Sequence, residues 1–189
     1  AQQGRTDLTP ASLTSDSPEV FTFDDQTWEP RNYDDYDGDI TWRRALAMSR
    51  NLGTIHVGAT VGFDTVADVW KRVGVGTPPR GYPAITLGVF ELTPFEVAQA
   101  YTLFVNGGTV RPLKLIDGID AGARHVTPMA VPPRHVARPD TTYLVTNMMR
   151  SVINEGTGAG ARGAGFTPDA AGKSGTTNDL RDAWFVGFT

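Results

Sequence analysis

The chain contains no cysteine, which excludes disulfides, thiolate metal sites and cysteine nucleophiles. Lysine is nearly absent too: Lys71, Lys114 and Lys173 are the only ones among 17 basic residues. With a net charge of -4, this scarcity leaves no electrostatic footprint for a nucleic-acid partner. No run of about 18 apolar residues occurs, so nothing within the chain reads as a bilayer span. Residues 1–20 lack a basic start followed by an apolar core and do not read as a signal peptide. Histidine is sparse and scattered, at positions 56, 125 and 135, which gives a Ser-His-Asp triad no local support.

What is present is ordinary for a folded domain. A length of 189 residues suits one domain with a real core, at 40% hydrophobic and 20% charged residues. Up to about Gly38 the chain lacks periodicity and is rich in acid and turn formers, which predicts loops and short strands such as Val20 to Phe23. Thr41 reads as an N-cap, and Trp42, Ala45, Leu46 and Ser49 recur at helical spacing, which puts Ser49 on a buried helix face. Asn51, Gly53 and Gly58 interrupt this pattern and predict a break near Asn51 with a second helix beyond it. Asp64 is expected to cap a third helix that stops at Gly74. Thr93-Pro94-Phe95-Glu96 combines an N-cap, a first-turn proline and a capping-box glutamate, and starts the best-marked helix. Arg111 to Ile119 is expected as strand, and Asp140 to Glu155 as a helix carrying Tyr143, Leu144, Met148 and Val152. Trp42, Trp70 and Trp184 are expected in the core.

Near the C-terminal end, Gly172-Lys173-Ser174-Gly175-Thr176-Thr177-Asn178 runs into Asp182 to Phe188. A phosphate-binding loop would need glycine five residues before the Gly-Lys pair, where Thr167 stands, and would have to open a helix. The aromatic and β-branched run Ala183 to Phe188 reads as strand instead. Residues 178–181 then form the turn of a hairpin. Acids at 34, 35, 37 and 39 suggest a calcium loop, but that register places Tyr33 first and Arg44 twelfth, where the ion needs carboxylates.

Ser49-Arg50-Asn51 and Lys173-Ser174-Gly175 match two of the three motifs of active-site-serine, penicillin-interacting enzymes. Their flanks add specificity: Trp28 to Asp34, Leu92 to Tyr101, Asn106-Gly107-Gly108, Glu155-Gly156-Thr157-Gly158 and Ala171 to Gly187. Together these resemble, in order and over nearly the whole chain, the transpeptidase domain of class A penicillin-binding proteins. The resemblance implies an α/β penicillin-binding fold, helices packed on an antiparallel sheet. It also implies a peptidoglycan D,D-transpeptidase acting through a serine acyl-enzyme. A D,D-carboxypeptidase, a β-lactamase and a non-catalytic β-lactam or stem-peptide sensor are the alternatives.

The same resemblance implies residue roles. Ser49 would relay a proton toward the departing D-alanine, Asn51 would donate its amide to the substrate's peptide carbonyl, and Lys173 would hold positive potential over the cleft. Ser174 and Thr176 would bind the terminal carboxylate, with Thr176 also lending its N–H to the oxyanion. Gly175 would leave room for substrate as an added strand, and Thr177 and Asn178 would contribute less. The implied partners are a stem peptide ending in D-Ala-D-Ala and β-lactam antibiotics, at an extracytoplasmic location; no metal or organic cofactor is implied, and membrane attachment would come only through parts outside the chain. The third family motif, Ser-x-x-Lys, does not occur: Asp68, Arg111 and Ala170 precede the three lysines at that spacing. The expectation is therefore that residues 1–189 are a partial transpeptidase domain, inactive alone, whose vacant third wall exposes apolar side chains such as Leu46 or Ile55.

Overall fold

The computed structural model describes residues 7–177 and 181–189. In chain order the elements are β1 (Leu13–Asp16), β2 (Phe21–Phe23), β3 (Gln26–Trp28), β4 (Gly38–Thr41), α1 (Trp42–Ala47), α2 (Asn51–Val61), α3 (Phe63–Val73), a 3-10 turn (Pro83–Leu87), α4 (Pro94–Val105), β5 (Thr109–Val110), β6 (Ile119–Ala121), β7 (Arg124–Val126), β8 (Arg134–His135), α5 (Pro139–Asn154), α6 (Gly160–Gly163), β9 (Ala171–Thr176) and β10 (Ala183–Phe188). The strands pair antiparallel in twos, β1 with β4, β2 with β3, β5 with β8, β6 with β7 and β9 with β10. The expected mixture of helices and antiparallel strands is thus present, with separate ladders in place of one continuous sheet.

Local chemistry explains the helix starts. The Thr93 hydroxyl accepts from Glu96 N–H at 3.2 Å, and the Glu96 carboxylate accepts from Thr93 N–H at 2.8 Å, which completes the capping box of α4. At α1, Thr41 Oγ1 accepts from Arg44 N–H at 3.2 Å. The start of α3 departs from expectation: its cap is Gly62, and Asp64 lies in the first turn, where a carboxylate favours the helix dipole. Gly74 ends that helix in the left-handed conformation, φ 65°.

The strand expected over Arg111 to Ile119 does not form. Pro112 has no N–H to give a ladder, and the neighbouring donors are taken by α4 side chains: Arg111 N–H donates to Thr102 Oγ1 at 2.8 Å and Leu113 N–H to Gln99 Oε1 at 3.3 Å. One aromatic assignment also fails, since Trp184 is 58% exposed; Tyr143, on α5, is 62% exposed. Trp42 is buried, and Trp70 packs beside a core of Val73, Val75, Ala100, Leu103, Val110 and Val136.

A second buried region holds the segments that matter most below. α1 packs on β1 and α5, and α5 packs on β9. Arg43 fastens α1 to α5 by donating to the Asn147 carbonyl at 3.0 Å, Asn147 Oδ1 at 2.7 Å and Ser151 Oγ at 3.1 Å. Leu52, Ile55 and Val152 are fully buried here, so Ile55 does not form an exposed wall, and Leu46 is half-buried. Truncating Ile55 to alanine should cost about 2–5 kcal/mol, through lost burial plus an unfilled cavity. Urea denaturation of Ile55→Ala beside Tyr143→Ala checks this assignment: a large loss is expected for the first and little change for the second.

Candidate active site

The reversal after α1 is built around Ser49. Its N–H donates to the Leu46 carbonyl at 3.3 Å and the Arg50 N–H to the Ala45 carbonyl at 2.9 Å, the paired bonds of a Schellman turn. Ser49 therefore occupies the left-handed position, φ 55°, where glycine is usual because a Cβ there costs about 1–2 kcal/mol. It lies just beyond the helix and not on its face, which corrects the expectation from spacing. The break precedes Asn51, which instead opens α2. Gly53 and Gly58 sit inside that helix because close packing needs them: a Cβ would lie 3.2 Å from Ala45 Cβ at the first and 2.3 Å from Thr86 Cγ2 at the second.

Of Ser49, Asn51 and Lys173, the first and last come into contact across the chain. Lys173 Nζ donates to Ser49 Oγ at 2.8 Å and to the Ser174 carbonyl at 2.8 Å, joining residues 124 apart in sequence. Lys173 is carried by β9, whose register against β10 pairs Lys173 with Val186 and Gly175 with Trp184. Gly172 permits this ladder to close, since a Cβ there would meet the Phe185 ring at 2.5 Å. Burial penalises the ammonium form and lowers the Lys173 pKa to about 8.

Thr157 ties these two segments together. Its N–H donates to the Ala47 carbonyl at 3.1 Å, two residues before Ser49, while its hydroxyl lies 2.6 Å from Ser174 Oγ, one residue past Lys173. Gly156 allows the approach, because a Cβ there would fall 2.1 Å from the Ala47 carbonyl oxygen. The sequence contained Gly-Thr-Gly only as a flanking resemblance, and a hydroxyl contact made across two distant elements leaves no spacing signal.

Asn51 is next to this centre in the chain but is engaged elsewhere. Its side-chain amide donates to the Arg31 carbonyl at 2.7 Å, and its own N–H donates to Asn32 Oδ1 at 2.9 Å. The start of α2 is capped from outside: Asn32 Oδ1 also receives Leu52 N–H at 3.4 Å, and Asp16 Oδ1 receives Gly53 N–H at 3.2 Å. Asp16 is wholly buried, and its other oxygen accepts from Asn32 Nδ2 at 2.9 Å and Asp37 N–H at 3.1 Å.

Between the two motif residues stands Arg50, 4% exposed, a residue that sequence reasoning passed over. Its guanidinium contacts the Asp34 carboxylate, lies 2.8 Å from Asp37 Oδ2 and sits 3.6 Å from Asp16 Oδ2. Burial opposes the Arg50 charge, but the hydrogen bonds to Asp37 and Asp34 outweigh it and raise the pKa. The Arg50 hydrogen bond, followed by that of Arg44, holds Asp37 below the usual carboxylate range. Of the acids that resembled a calcium loop, Asp34 and Asp37 thus have arginines as counter-ions, and among the described residues no group of three or more His, Asp or Glu could hold a metal.

The remaining expected residues are divided. Ser174 is half-buried and meets Thr157; Gly175 and Thr176 are exposed, and a Cβ at Gly175 would meet nothing within 4 Å. Thr177 is occupied by the hairpin, donating N–H to the Asp182 carbonyl at 3.0 Å and accepting Asp182 N–H on Oγ1 at 2.9 Å. Asn178 and most of the expected turn, 178–180, lie outside the described residues. Among those described, β9 pairs only with β10 and keeps one edge free of a strand partner.

Desolvation of Lys173 has a stability consequence with a definite sign. The folded-state pKa lies below that of an unfolded lysine, so the charge destabilises the fold fully below about 8 and is relieved as pH rises towards 10.5. The stability advantage of Lys173→Met over the wild type should therefore shrink with rising pH across that window, by on the order of 2–3 kcal/mol. Equilibrium unfolding of both proteins at several pH values measures it; a pH-independent difference would mean that Lys173 is solvated.

Comparison with known proteins places this geometry in a family. Residues 8–189 match the family model for the penicillin binding protein transpeptidase domain. Penicillin-binding protein 1B of Vibrio cholerae is 36% identical over 163 residues, and penicillin-binding protein 1A of Neisseria gonorrhoeae 38% identical over 177 residues. Each alignment covers 85% of this chain and 21% of the relative, so the chain spans about a fifth of their length. The crystal structure of penicillin-binding protein 1A from Haemophilus influenzae superposes with a TM-score of 0.85 at 25% identity, covering 96% of this chain and 33% of that one. Penicillin-binding protein A from M. tuberculosis, solved as an imipenem acyl-enzyme complex, shares the fold with a TM-score of 0.73 at 19% identity, over 96% of this chain and 47% of that one. The close pairing of Ser49 with Lys173 therefore lies in a chain that belongs to the penicillin-binding protein transpeptidase family.

Proposed function

We propose that this chain is part of a serine D,D-transpeptidase that cross-links peptidoglycan stem peptides ending in D-Ala-D-Ala, outside the cytoplasmic membrane. The observation that carries the reading is the 2.8 Å contact between Lys173 Nζ and Ser49 Oγ. Acyl transfer through a serine ester needs a proton delivered to the leaving amine. An ammonium that donates to a hydroxyl, which in turn can donate onward, supplies that path. Lys173 gives its proton to Ser49 Oγ, Ser49 passes its own to the departing D-alanine nitrogen, and the lysine is left neutral. A pKa near 8 makes that donation easier than from an ordinary lysine.

Ser174 and Thr176 supply hydroxyls for the terminal carboxylate in this reading, with the Lys173 charge attracting it. The unpaired edge of β9 accepts the substrate backbone as an additional strand. Asn51 gives one of its two amide hydrogens to the Arg31 carbonyl, and the other serves the substrate carbonyl in this reading. Because Ser-x-x-Lys is not among the 189 residues, the nucleophile is assigned to sequence outside them.

Fluorescent penicillin applied to the intact transpeptidase tests the reading. A labelled band that survives denaturation is expected, and Lys173→Ala should acylate about ten- to a hundredfold more slowly, from the loss of a charged hydrogen bond worth roughly 1.5–3 kcal/mol. Equal labelling of the correctly folded variant would reduce Lys173 to an edge-strand lysine. Since the relay needs the ammonium form, the wild-type acylation rate should fall as pH rises through about 8, and Lys173→Ala should lose that limb. Supplying an acceptor amine separates transfer from hydrolysis: cross-linked product supports the transpeptidase, and exclusive release of free acid supports a carboxypeptidase or β-lactamase.

A further inference from the structure

We propose that Arg50 is a positioning residue whose clamped guanidinium fixes where Ser49 stands relative to Lys173, and that it governs acyl transfer without touching substrate. The inference rests on the transpeptidase reading and extends it. Arg50 is held at both terminal nitrogens: Nη1 by the Asp34 carboxylate and by the Asp35 carbonyl at 3.2 Å, and Nη2 by Asp37 at 2.8 Å, while Nε makes no hydrogen bond and lies 3.6 Å from buried Asp16. The Tyr33 ring centroid lies 5.8 Å from its Cζ.

Its backbone is equally constrained. Arg50 N–H donates to the Ala45 carbonyl at 2.9 Å, and its own carbonyl accepts from Thr54 N–H at 3.0 Å and Thr54 Oγ1 at 2.7 Å. A side chain and a main chain fixed together leave the preceding residue little freedom. Ser49 is that residue, in a left-handed conformation that its Cβ disfavours. Besides the Lys173 contact on Ser49 itself, the clamp is what ties this turn to the loop before β4.

A purely structural ion cluster would be interchangeable with apolar packing of similar volume. This cluster instead draws two of its three acids, Asp34 and Asp37, from the 31–37 segment, which also holds Asn51 through the Arg31 carbonyl and caps α2 through Asn32. One arginine thereby registers the same loop to both motif residues. Arginine's rigid fork suits such multi-sided contact, whereas lysine would keep the charge and lose the geometry.

The test uses the intact transpeptidase carrying Arg50→Ala, Arg50→Lys, Asp37→Asn or Arg44→Gln. Asp37→Asn weakens the clamp without emptying the buried site, and so decides the matter if Arg50→Ala does not fold. Arg44→Gln removes the other partner of Asp37 and should acylate at the wild-type rate. Penicillin kinetics on the folded fraction are split into binding and acylation constants. A misplaced Ser49 should lower acylation by about tenfold in Asp37→Asn and up to about a hundredfold in Arg50→Ala, with Arg50→Lys between them and initial binding little changed. A second readout needs no substrate: the titration of Lys173, followed by NMR, should move from about 8 towards the ordinary lysine range as its contact with Ser49 opens and water enters. Variants that melt earlier yet acylate at the wild-type rate and leave the Lys173 titration unchanged would overturn the proposal and make Arg50 structural only. If the wild type takes no penicillin label while the Lys173 titration still follows Arg50, the transpeptidase reading fails and the positioning claim survives.

Discussion

The carboxylate of Asp16 is fully buried, and much of the site's architecture follows from the need to satisfy it. A desolvated carboxylate is tolerable only where donors surround it. Here they come from Asn32, Asp37 and Gly53, and the Arg50 guanidinium stands 3.6 Å away as a counter-ion. These groups belong to the loop after β3, the start of α2 and the turn between α1 and α2, so satisfying one side chain draws three segments to the end of β1. Thr14 adds a parallel link by donating to the Gly53 carbonyl at 3.0 Å. The charge of Arg50 is tolerated for the complementary reason, with acids on several sides.

The other half of the site is held by packing and small residues. α5 sits between α1 and β9, with Arg43 hydrogen-bonded across the first contact and Gly158 N–H donating to the Val152 carbonyl at 2.9 Å beside the second. Gly156 removes a Cβ that would hold the 155–158 loop off α1, and Gly172 one that would hold β9 off Phe185 and Val186 of β10. The result is a lysine pressed close enough to a serine to lose much of its hydration. The perturbed acidity of Lys173 is thus a consequence of helix and strand packing more than of any neighbouring charge.

Sequence patterns revealed what is local or already shared with a family. The capping box at Thr93 and the stop at Gly74 were legible because each depends on a few adjacent residues. The meeting of Ser49 and Lys173 was legible only through resemblance, since no periodicity relates them. The turn at Ser49 escaped notice because a non-glycine residue in left-handed conformation leaves no compositional mark. Arg50 was missed for a different reason: its partners are distant acids, and those acids had been weighed against a cation from solution instead of one from the chain. Over 111–119, the backbone donors found side-chain acceptors on α4, and an apparently extended run therefore formed no ladder.

The sequence distance spanned by the Lys173–Ser49 contact also bears on how the molecule folds. Closing so long a loop costs conformational entropy before any contact compensates it, and such contacts slow folding relative to local ones. α1 and α2 adjoin in sequence, whereas the lysine–serine contact rests on the packing of α5 against both α1 and β9. The meeting of lysine and serine therefore belongs to the non-local part of folding, whereas most of the helices rest on contacts close in sequence.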